Sequence, residues 1–363
     1  MTLSLNLRLA IASHYSEQAR SRWMQCSQVA WNDLAHEATV NRLAPLLYYS
    51  LTKFPRTDVP DVVLEKLRTV YYATAARNMQ MHEQLKQVTD ALDEIGVRYI
   101  LLKGAALIQD VYEGNMGLRP MSDIDILIDP AQFSVARTKI ETFATPKALI
   151  VADDFSLHHQ SYYLDDDVCI ELHSRLLSLG HYINKPSFEA LWDSQQGMVG
   201  FSAEYQFVHL CAHAFFHHRH TNTHFGADAA FVSQLIKDWD LVVQIAVQNS
   251  LVESLKMGMD SLRKDWLFAP VYLESPDLSY LSATLLERFY MFCVARPVWR
   301  RFAQWVSLPT RQDKIKFIKA KLFPSKEYLL RVWPTLDYSK SRWKVYLQRL
   351  SLISSRLIND DRQ

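Results

Sequence analysis

The fold is decided by the stretch Ser122-Asp123-Ile124-Asp125-Ile126-Leu127-Ile128, in which two aspartates alternate with apolar residues. Such alternation predicts a β-strand, because successive side chains of a strand point to opposite faces of the sheet. Asp123 and Asp125 then share one face, and the three isoleucines enter a core on the other. Two neighbouring carboxylates repel each other, so we expect a cation or a proton beside them.

A third carboxylate lies on a second alternating stretch, Val168-Cys169-Ile170-Glu171-Leu172-His173. This stretch and residues 161–164 predict two strands that pair through a turn at residues 165–167. If the Glu171 strand lies beside the aspartate strand, three carboxylates converge. Oxygen ligands of this kind suit Mg²⁺, and two such ions can activate an attacking hydroxyl and stabilise a leaving phosphate. On its own, however, an Asp-x-Asp pair is common in strands that bind no metal.

A turn between a strand and a helix precedes the aspartates. Residues 97–102 form a β-rich run, Lys103-Gly104 follows, and a helix is predicted to begin near Ala105. A glycine at such a turn lets backbone N–H groups approach a phosphate at the helix N-terminus, and Lys103 would add positive charge. Taken alone, the turn would be only a tight connection.

These parts, in this order, resemble an uncharacterised family of bacterial nucleotidyltransferases within the DNA polymerase β-like nucleotidyltransferase superfamily. The resemblance covers most of the chain and rests on three stretches: Tyr99-Ile100-Leu101-Leu102-Lys103-Gly104-Ala105-Ala106-Leu107, Arg119-Pro120-Met121-Ser122-Asp123-Ile124-Asp125-Ile126-Leu127-Ile128 and Ile170-Glu171-Leu172-His173-Ser174-Arg175-Leu176. Residues 42–48, 210–213, 237–241 and 323–329 are similar to the family's flanking segments. The combination is specific for the family, whereas each stretch alone is less so.

The resemblance implies an α+β protein with a polymerase β-like core, in which helices accompany a mixed sheet. Hydrophobic periodicity divides the chain into an N-terminal helical region at 1–95, the core at 96–200 and a C-terminal helical region with a basic tail at 201–363, because residues up to 95 and from about 202 onward are helical in pattern.

The chemistry that the resemblance implies is transfer of a nucleoside monophosphate from an NTP to a hydroxyl acceptor, with release of pyrophosphate. Asp123 and Asp125 would bind two divalent ions, Mg²⁺ or Mn²⁺. Glu171 would bind the catalytic ion and act as base toward the acceptor, which is a small molecule, a protein or RNA. The turn at Gly104-Ala105 would hold the triphosphate.

Three residues leave alternatives open. Arg119 precedes Asp123 by four residues and either binds a phosphate or pairs with one of the two aspartates. His173 faces the same side as Glu171 and either orients an acceptor or makes a structural hydrogen bond. Ala105 stands where the superfamily usually has Ser or Gly, which removes one phosphate contact. It therefore supports the alternative of a catalytically weak, nucleotide-binding regulatory protein of the same fold.

The formal net charge of +1 hides an uneven distribution. Residues 296–356 contain 15 basic and three acidic residues, a local charge of +12, and the rest of the chain carries −11. Lysines and arginines interleave with aromatic residues in this tail, a pattern that suits nucleic acid binding and also describes ordinary amphipathic helices. An RNA-directed nucleotidyltransferase is therefore a further alternative.

The remaining patterns exclude several classes. The four cysteines lie far apart without a C-x-x-C motif, which favours a reducing cytoplasmic location over a disulfide framework. There is no signal-peptide pattern, and no apolar run approaches the roughly 20 residues of a membrane span. No P-loop or serine nucleophile signature is present. His209, His213 and His217 recur at helical spacing, but a metal site there lacks the Glu of an H-E-x-x-H motif.

Overall fold

The computed structural model describes residues 3–146, 159–164, 168–177, 185–218, 223–266, 276–294, 296–306, 308, 310–324, 329 and 335–360. The predicted turn at residues 165–167 lies outside these ranges. Within them, no helix combines the length and the apolar character that crossing a membrane requires.

The N-terminal region is helical, as its hydrophobic periodicity predicts. Its helices are α1 (Leu5–Ala12), α2 (Glu17–Gln25), α3 (Trp31–Val40), α4 (Ala44–Lys53) and α5 (Asp61–Glu94). Ser4 and Ser16 cap α1 and α2 by accepting hydrogen bonds from backbone N–H groups of the first turn. The 34-residue helix α5 reaches from this helical region to the sheet.

A five-stranded mixed sheet follows, accompanied by two helices. The strands are β1 (Tyr99–Leu102), β2 (Asp123–Ile128), β3 (Thr145–Pro146), β4 (His159–Leu164) and β5 (Val168–His173), and the helices are α6 (Lys103–Asp110) and α7 (Phe133–Ile140). The spatial order is β1-β2-β5-β4-β3. β2 and β5 run parallel, and every other neighbouring pair is antiparallel. The predicted pairing of β4 with β5 is confirmed, and β2 and β5 are neighbours, which was the condition for the three carboxylates to converge.

One face of the sheet is covered by α5 and α7. The side chains of Met81, Leu85, Val88 and Leu92 recur every three or four residues along α5, so they lie on one side of the helix. They pack against the isoleucines of β2, as the alternation of that strand predicts, and against Ile170 of β5. The aspartates of β2 therefore point to the opposite face.

The opposite face adjoins the C-terminal helices. In chain order these are α8 (Phe188–Asp193), α9 (Ala203–His218), α10 (Thr223–Val232), α11 (Trp239–Gln248), α12 (Val252–Asp265), α13 (Leu285–Val294), α14 (Pro297–Val306), α15 (Arg311–Leu322) and α16 (Arg342–Asp360). A second core joins residues of α1–α5 and α8–α14 with Ile100, Leu102 and Leu127 of the sheet. The N-terminal helices, the sheet and the C-terminal helices up to α14 thus share one apolar interior.

Candidate active site

The parallel pairing of β2 and β5 brings the predicted carboxylates together. Asp125 lies directly beside Glu171 in the register, and Asp123 lies beside Cys169. Because side chains alternate along each strand, Asp123, Asp125 and Glu171 share the face that α5 leaves open. Asp125 is buried, whereas the other two carboxylates are partly exposed. The sequence made this convergence conditional on the two strands being neighbours, and the register meets that condition.

Lys103 reaches the same point from the end of β1. The antiparallel register places Leu102 beside Asp125, so the next residue emerges at the aspartates. Lys103 Nζ lies 2.7 Å from Asp125 Oδ1. Its φ of +47° is in the left-handed region, which costs a non-glycine residue about 1–3 kcal/mol and often marks a functional position. The left-handed residue of the turn is therefore the lysine.

His173 contacts the same carboxylate oxygen. Its Nε2 lies 2.7 Å from Asp125 Oδ1, and both side chains are buried. Burial opposes ionisation of Asp125, but the charge of Lys103 and the hydrogen bond from His173 outweigh it, so the pKa of Asp125 falls well below its usual range. Burial also disfavours the charged imidazole, yet the hydrogen bonds to Asp125 and Glu171 raise the pKa of His173. Lys103 and His173 thus compensate the charge of Asp125.

Glu171 lies between two histidines. Its Oε1 is 3.6 Å from His159 Nε2 and 3.4 Å from Ser161 Oγ, and its Oε2 is 3.6 Å from His173 Nε2. Burial tends to raise the pKa of Glu171, but the hydrogen bond of His173 and the charge of His159 lower it on balance. Burial lowers the pKa of His159. The sequence prediction missed His159, although its position opposite His173 follows from extending β4 two residues toward its N-terminus.

Asp123 differs from Asp125 in its surroundings. Ser122 Oγ donates a hydrogen bond of 3.1 Å to it. Burial, followed by the charge of Asp125, raises the pKa of Asp123, and the more distant charge of Lys103 offsets this only in part. Asp123 therefore carries the negative charge of this face that is least compensated by protein groups.

Arg119 pairs with a carboxylate that the sequence prediction did not consider. Its Nε lies 3.1 Å from Asp228 Oδ1 and its Nη2 lies 2.9 Å from Asp228 Oδ2, on helix α10. Tyr112 Oη donates to the same carboxylate at 2.9 Å. Of the two alternatives left open for Arg119, the ion pair with Asp123 or Asp125 is not formed, because a buried carboxylate from a distant helix takes the guanidinium group.

The arginine also explains the glycine at the turn. A Cβ atom added to Gly104 would lie 2.4 Å from Arg119 Nη1 and 2.7 Å from the Met121 side chain. Residue 104 is therefore kept small by Arg119 and Met121, which pack over it. Its backbone N–H group belongs to the first turn of α6, where no side chain caps the helix.

Ala105 points away from the polar face. It is 5% exposed and belongs to the core that Leu85, Val88 and Ile124 form under the sheet. A serine hydroxyl at this position would enter apolar surroundings. The Ala105 side chain thus packs in the core and makes no contact on the carboxylate face.

Helix α9 borders the site from the C-terminal region. His209 and Lys103 line the same small cavity, and burial followed by the charges of Lys103 and His173 lowers the pKa of His209 to about 3. The ring centroids of His209 and His213 are 5.8 Å apart. The side chain of His217 lies outside the described residues. Where side chains are described, the group that can hold a metal ion is His159, Glu171 and His173, without the α9 histidines.

Comparison with known proteins gives a family match but no individual relative. No curated protein and no solved structure matches the chain. A family profile described as an uncharacterised nucleotidyltransferase matches residues 27–264, well over half of the 363 residues. The match includes the Lys103 turn, all three carboxylates, both histidines of the β4–β5 pair and Asp228. The chain therefore belongs to this family of uncharacterised nucleotidyltransferases.

Proposed function

We propose that the protein is a metal-dependent nucleotidyltransferase with a polymerase β-like core, which moves a nucleoside monophosphate from an NTP to a hydroxyl acceptor and releases pyrophosphate. The observation that carries the proposal is the placement of Asp123, Asp125 and Glu171 on one face of two parallel neighbouring strands. Phosphoryl transfer depends on positioning and charge neutralisation more than on covalent chemistry. This face offers the groups for both.

The donor set fits divalent cations. Three carboxylates supply the hard oxygen ligands that Mg²⁺ or Mn²⁺ takes, and the poorly compensated charge of Asp123 favours a second positive group beside it. Asp123 and Asp125 would hold two ions, and Glu171 would share one of them. When bound, the ions would neutralise phosphate charge and activate the acceptor hydroxyl.

The residues of the turn would bind the triphosphate. The first-turn N–H groups of Gly104 and Ala105 lie at a helix N-terminus without a side-chain cap, and such groups bind phosphate oxygens. Lys103 adds its ammonium group, one fifth exposed, at the boundary between this turn and the carboxylates. Glu171, whose lowered pKa keeps it ionised, would accept the proton of the acceptor hydroxyl.

Arg119 and His173 would position other groups of the site, namely the turn at Gly104 and the Asp125 carboxylate. Arg119 spans the space between Asp228 and Gly104, so it holds the turn in place, and its nitrogen nearest Gly104 would face a phosphate bound there. His173 fixes the orientation of the Asp125 carboxylate through the 2.7 Å contact to Oδ1.

The test is incubation with α-labelled NTPs and Mg²⁺ or Mn²⁺ across small hydroxyl compounds, proteins and RNA. We expect label transfer by the wild-type protein and a loss of roughly 100-fold or more for Asp125→Asn and Asp123→Asn. Asp90→Asn, which changes an exposed carboxylate on α5, is the matched control. A wild-type protein that neither binds NTP nor releases pyrophosphate would refute the proposal, and transfer that survives both substitutions would refute the site.

One observation favours RNA among the acceptors. A cleft of about 700 Å³ lies between α15 and α16. Its lining combines cations with aromatic rings: Lys316, Lys319, Ala320, Phe323, Arg342, Trp343 and Tyr346. Trp343 is 67% exposed, so one ring is accessible for stacking on a base. The two helices are held together by Arg349, which donates to the Lys321 carbonyl oxygen at 3.0 Å.

RNA binding can be measured separately from transfer. Fluorescence anisotropy of a labelled single-stranded RNA should show affinity that falls steeply with salt. Lys316→Ala with Lys319→Ala should weaken binding and flatten the salt dependence, whereas Lys86→Ala on α5 should not. Binding that is unchanged in the double variant, or that occurs only to anionic lipid vesicles, would remove RNA as the favoured acceptor.

A further inference from the structure

Two histidines and a glutamate converge on the polar face of the β4–β5 pair. His159 lies opposite His173 in the antiparallel register, and Ser161 lies opposite Glu171. Residues two apart on each strand point to the same side, so both imidazoles and the carboxylate share one face. One ligand atom from each of the three residues lies within 4.8 Å of the others.

The distances suit a single ion. The Nε2 atoms of His159 and His173 each lie 3.6 Å from an oxygen of Glu171. In a tetrahedral site with metal–ligand bonds of about 2.1 Å, neighbouring ligand atoms are about 3.4 Å apart. Both separations are within a few tenths of an ångström of that spacing.

The ligand types select the class of metal. Mg²⁺ takes oxygen ligands and keeps several waters, so imidazole nitrogens offer it little. Imidazole suits first-row transition metals, which also accept carboxylates. A set with two imidazoles and one carboxylate therefore favours a transition metal over Mg²⁺.

We propose that His159, Glu171 and His173 form a binding site for one divalent transition-metal ion of the Mn²⁺, Co²⁺ and Zn²⁺ group. Since Glu171 also belongs to the proposed catalytic centre, this proposal gives an identity to one of its ions and rests on that function only for its role in transfer. The site itself requires no nucleotide. The side chain of His159 is 23% exposed, a larger fraction than those of Glu171 and His173.

The experiment is calorimetric titration of the nucleotide-free, full-length protein with Zn²⁺ and, separately, with Mg²⁺. We expect one Zn²⁺ per chain, bound more tightly than Mg²⁺. His159→Ala should weaken Zn²⁺ binding by roughly tenfold or more, the smallest effect expected when a direct ligand is lost. Mg²⁺ binding should not change in this variant. His36→Ala, which removes an exposed histidine on α3, is the matched control.

A second measurement guards against a folding defect. Glu171→Gln preserves the shape of the side chain, and its Co²⁺-loaded form should lose or shift the visible absorption bands of the wild-type complex. Zn²⁺ binding that is equal in wild type and His159→Ala, or Mg²⁺ binding as tight as Zn²⁺ binding, would overturn the proposal. Label transfer with Mg²⁺ alone, without any Zn²⁺ binding, would overturn the metal-site proposal and leave the proposed transferase function intact. Tight Zn²⁺ binding without any label transfer would support this site and count against that function.

Discussion

The guanidinium group of Arg119 and the carboxylate of Asp228 form a two-pronged ion pair between residues 109 positions apart in the chain. Arg119 is 16% exposed at its side chain and Asp228 is 3% exposed. The pair connects the segment before β2 to helix α10, and Arg119 also packs over Gly104. A C-terminal helix thereby fixes the position of the turn beside the carboxylates.

Removing one partner of this ion pair should lower the free energy of unfolding. Asp228→Ala leaves a buried guanidinium without its carboxylate, so we expect a loss of about 3–5 kcal/mol in the free energy of unfolding, measured by urea denaturation. The double variant Arg119→Met with Asp228→Leu should recover part of that loss, because neither charge then remains buried. Glu65→Ala, which breaks an exposed ion pair with Arg68, is the control and should change stability by less than about 1 kcal/mol. Equal effects of Asp228→Ala and Glu65→Ala would contradict the assigned role.

Two features of the site were predictable from local patterns: the faces of β2 and the shared side of Glu171 and His173. The alternation of β2 sets the faces of its aspartates and isoleucines, and the same period places Glu171 and His173 together. The neighbourhood of β2 and β5 was a condition in the sequence argument, and the structure meets it. The N-terminal helices were also predictable, because their periodic apolar residues extend over many turns.

Long-range partners were not predictable from these patterns. The pairing of Arg119 with Asp228 depends on how α10 packs, and no period or motif in one sequence encodes that distance. The place of His159 depends on the strand register of β4, of which only residues 161–164 stood out by composition. The left-handed conformation of Lys103 arises because the chain must turn from β1 into α6 at the aspartates, and no sequence pattern indicated it.

A serine hydroxyl at position 105 should not strengthen NTP binding by this protein. In Ala105→Ser the new hydroxyl enters the apolar core beside Leu85 and Ile124, so we expect a loss of about 1–3 kcal/mol in the free energy of unfolding and no gain in NTP affinity. Urea denaturation and calorimetric NTP titration measure the two effects. Ala131→Ser, at an exposed position, controls for the substitution itself. Tighter NTP binding by Ala105→Ser would show that the side chain reaches the phosphates.

Lys103 should matter for nucleotide binding more than other lysines. Lys103→Met removes an ammonium group at the boundary between the turn and the carboxylates, and a hydrogen bond to a charged group contributes about 1.5–3 kcal/mol, so the affinity for NTP should fall roughly tenfold or more. Calorimetric titration with NTP in the presence of Mg²⁺ measures this. Lys86→Met, at an exposed ion pair on α5, is the matched control. An unchanged NTP affinity in Lys103→Met would mean that this lysine compensates the charge of Asp125 and does not bind the nucleotide.

His209 should make the protein sensitive to acid. Its pKa of about 3 in the folded protein lies below the ordinary value of 6.5, chiefly because burial disfavours the charged imidazole. Between these values the unfolded chain binds the proton and the folded chain does not, so stability is lost as the pH falls from about 6.5. The contribution of His209 to this loss should reach about 2 kcal/mol by about pH 5.

The variant His209→Phe isolates that contribution. It keeps a ring that can pack against Phe201, which now meets the imidazole at a centroid distance of 5.6 Å, and it removes the titrating group. Urea denaturation at neutral pH and at about pH 5 should show a smaller acid-induced loss in this variant than in the wild type. His36→Phe, on the exposed side of α3, should keep the wild-type pH dependence. Parallel stability curves for His209→Phe and the wild type would mean that protonation of the buried imidazole has no free-energy cost in the folded protein.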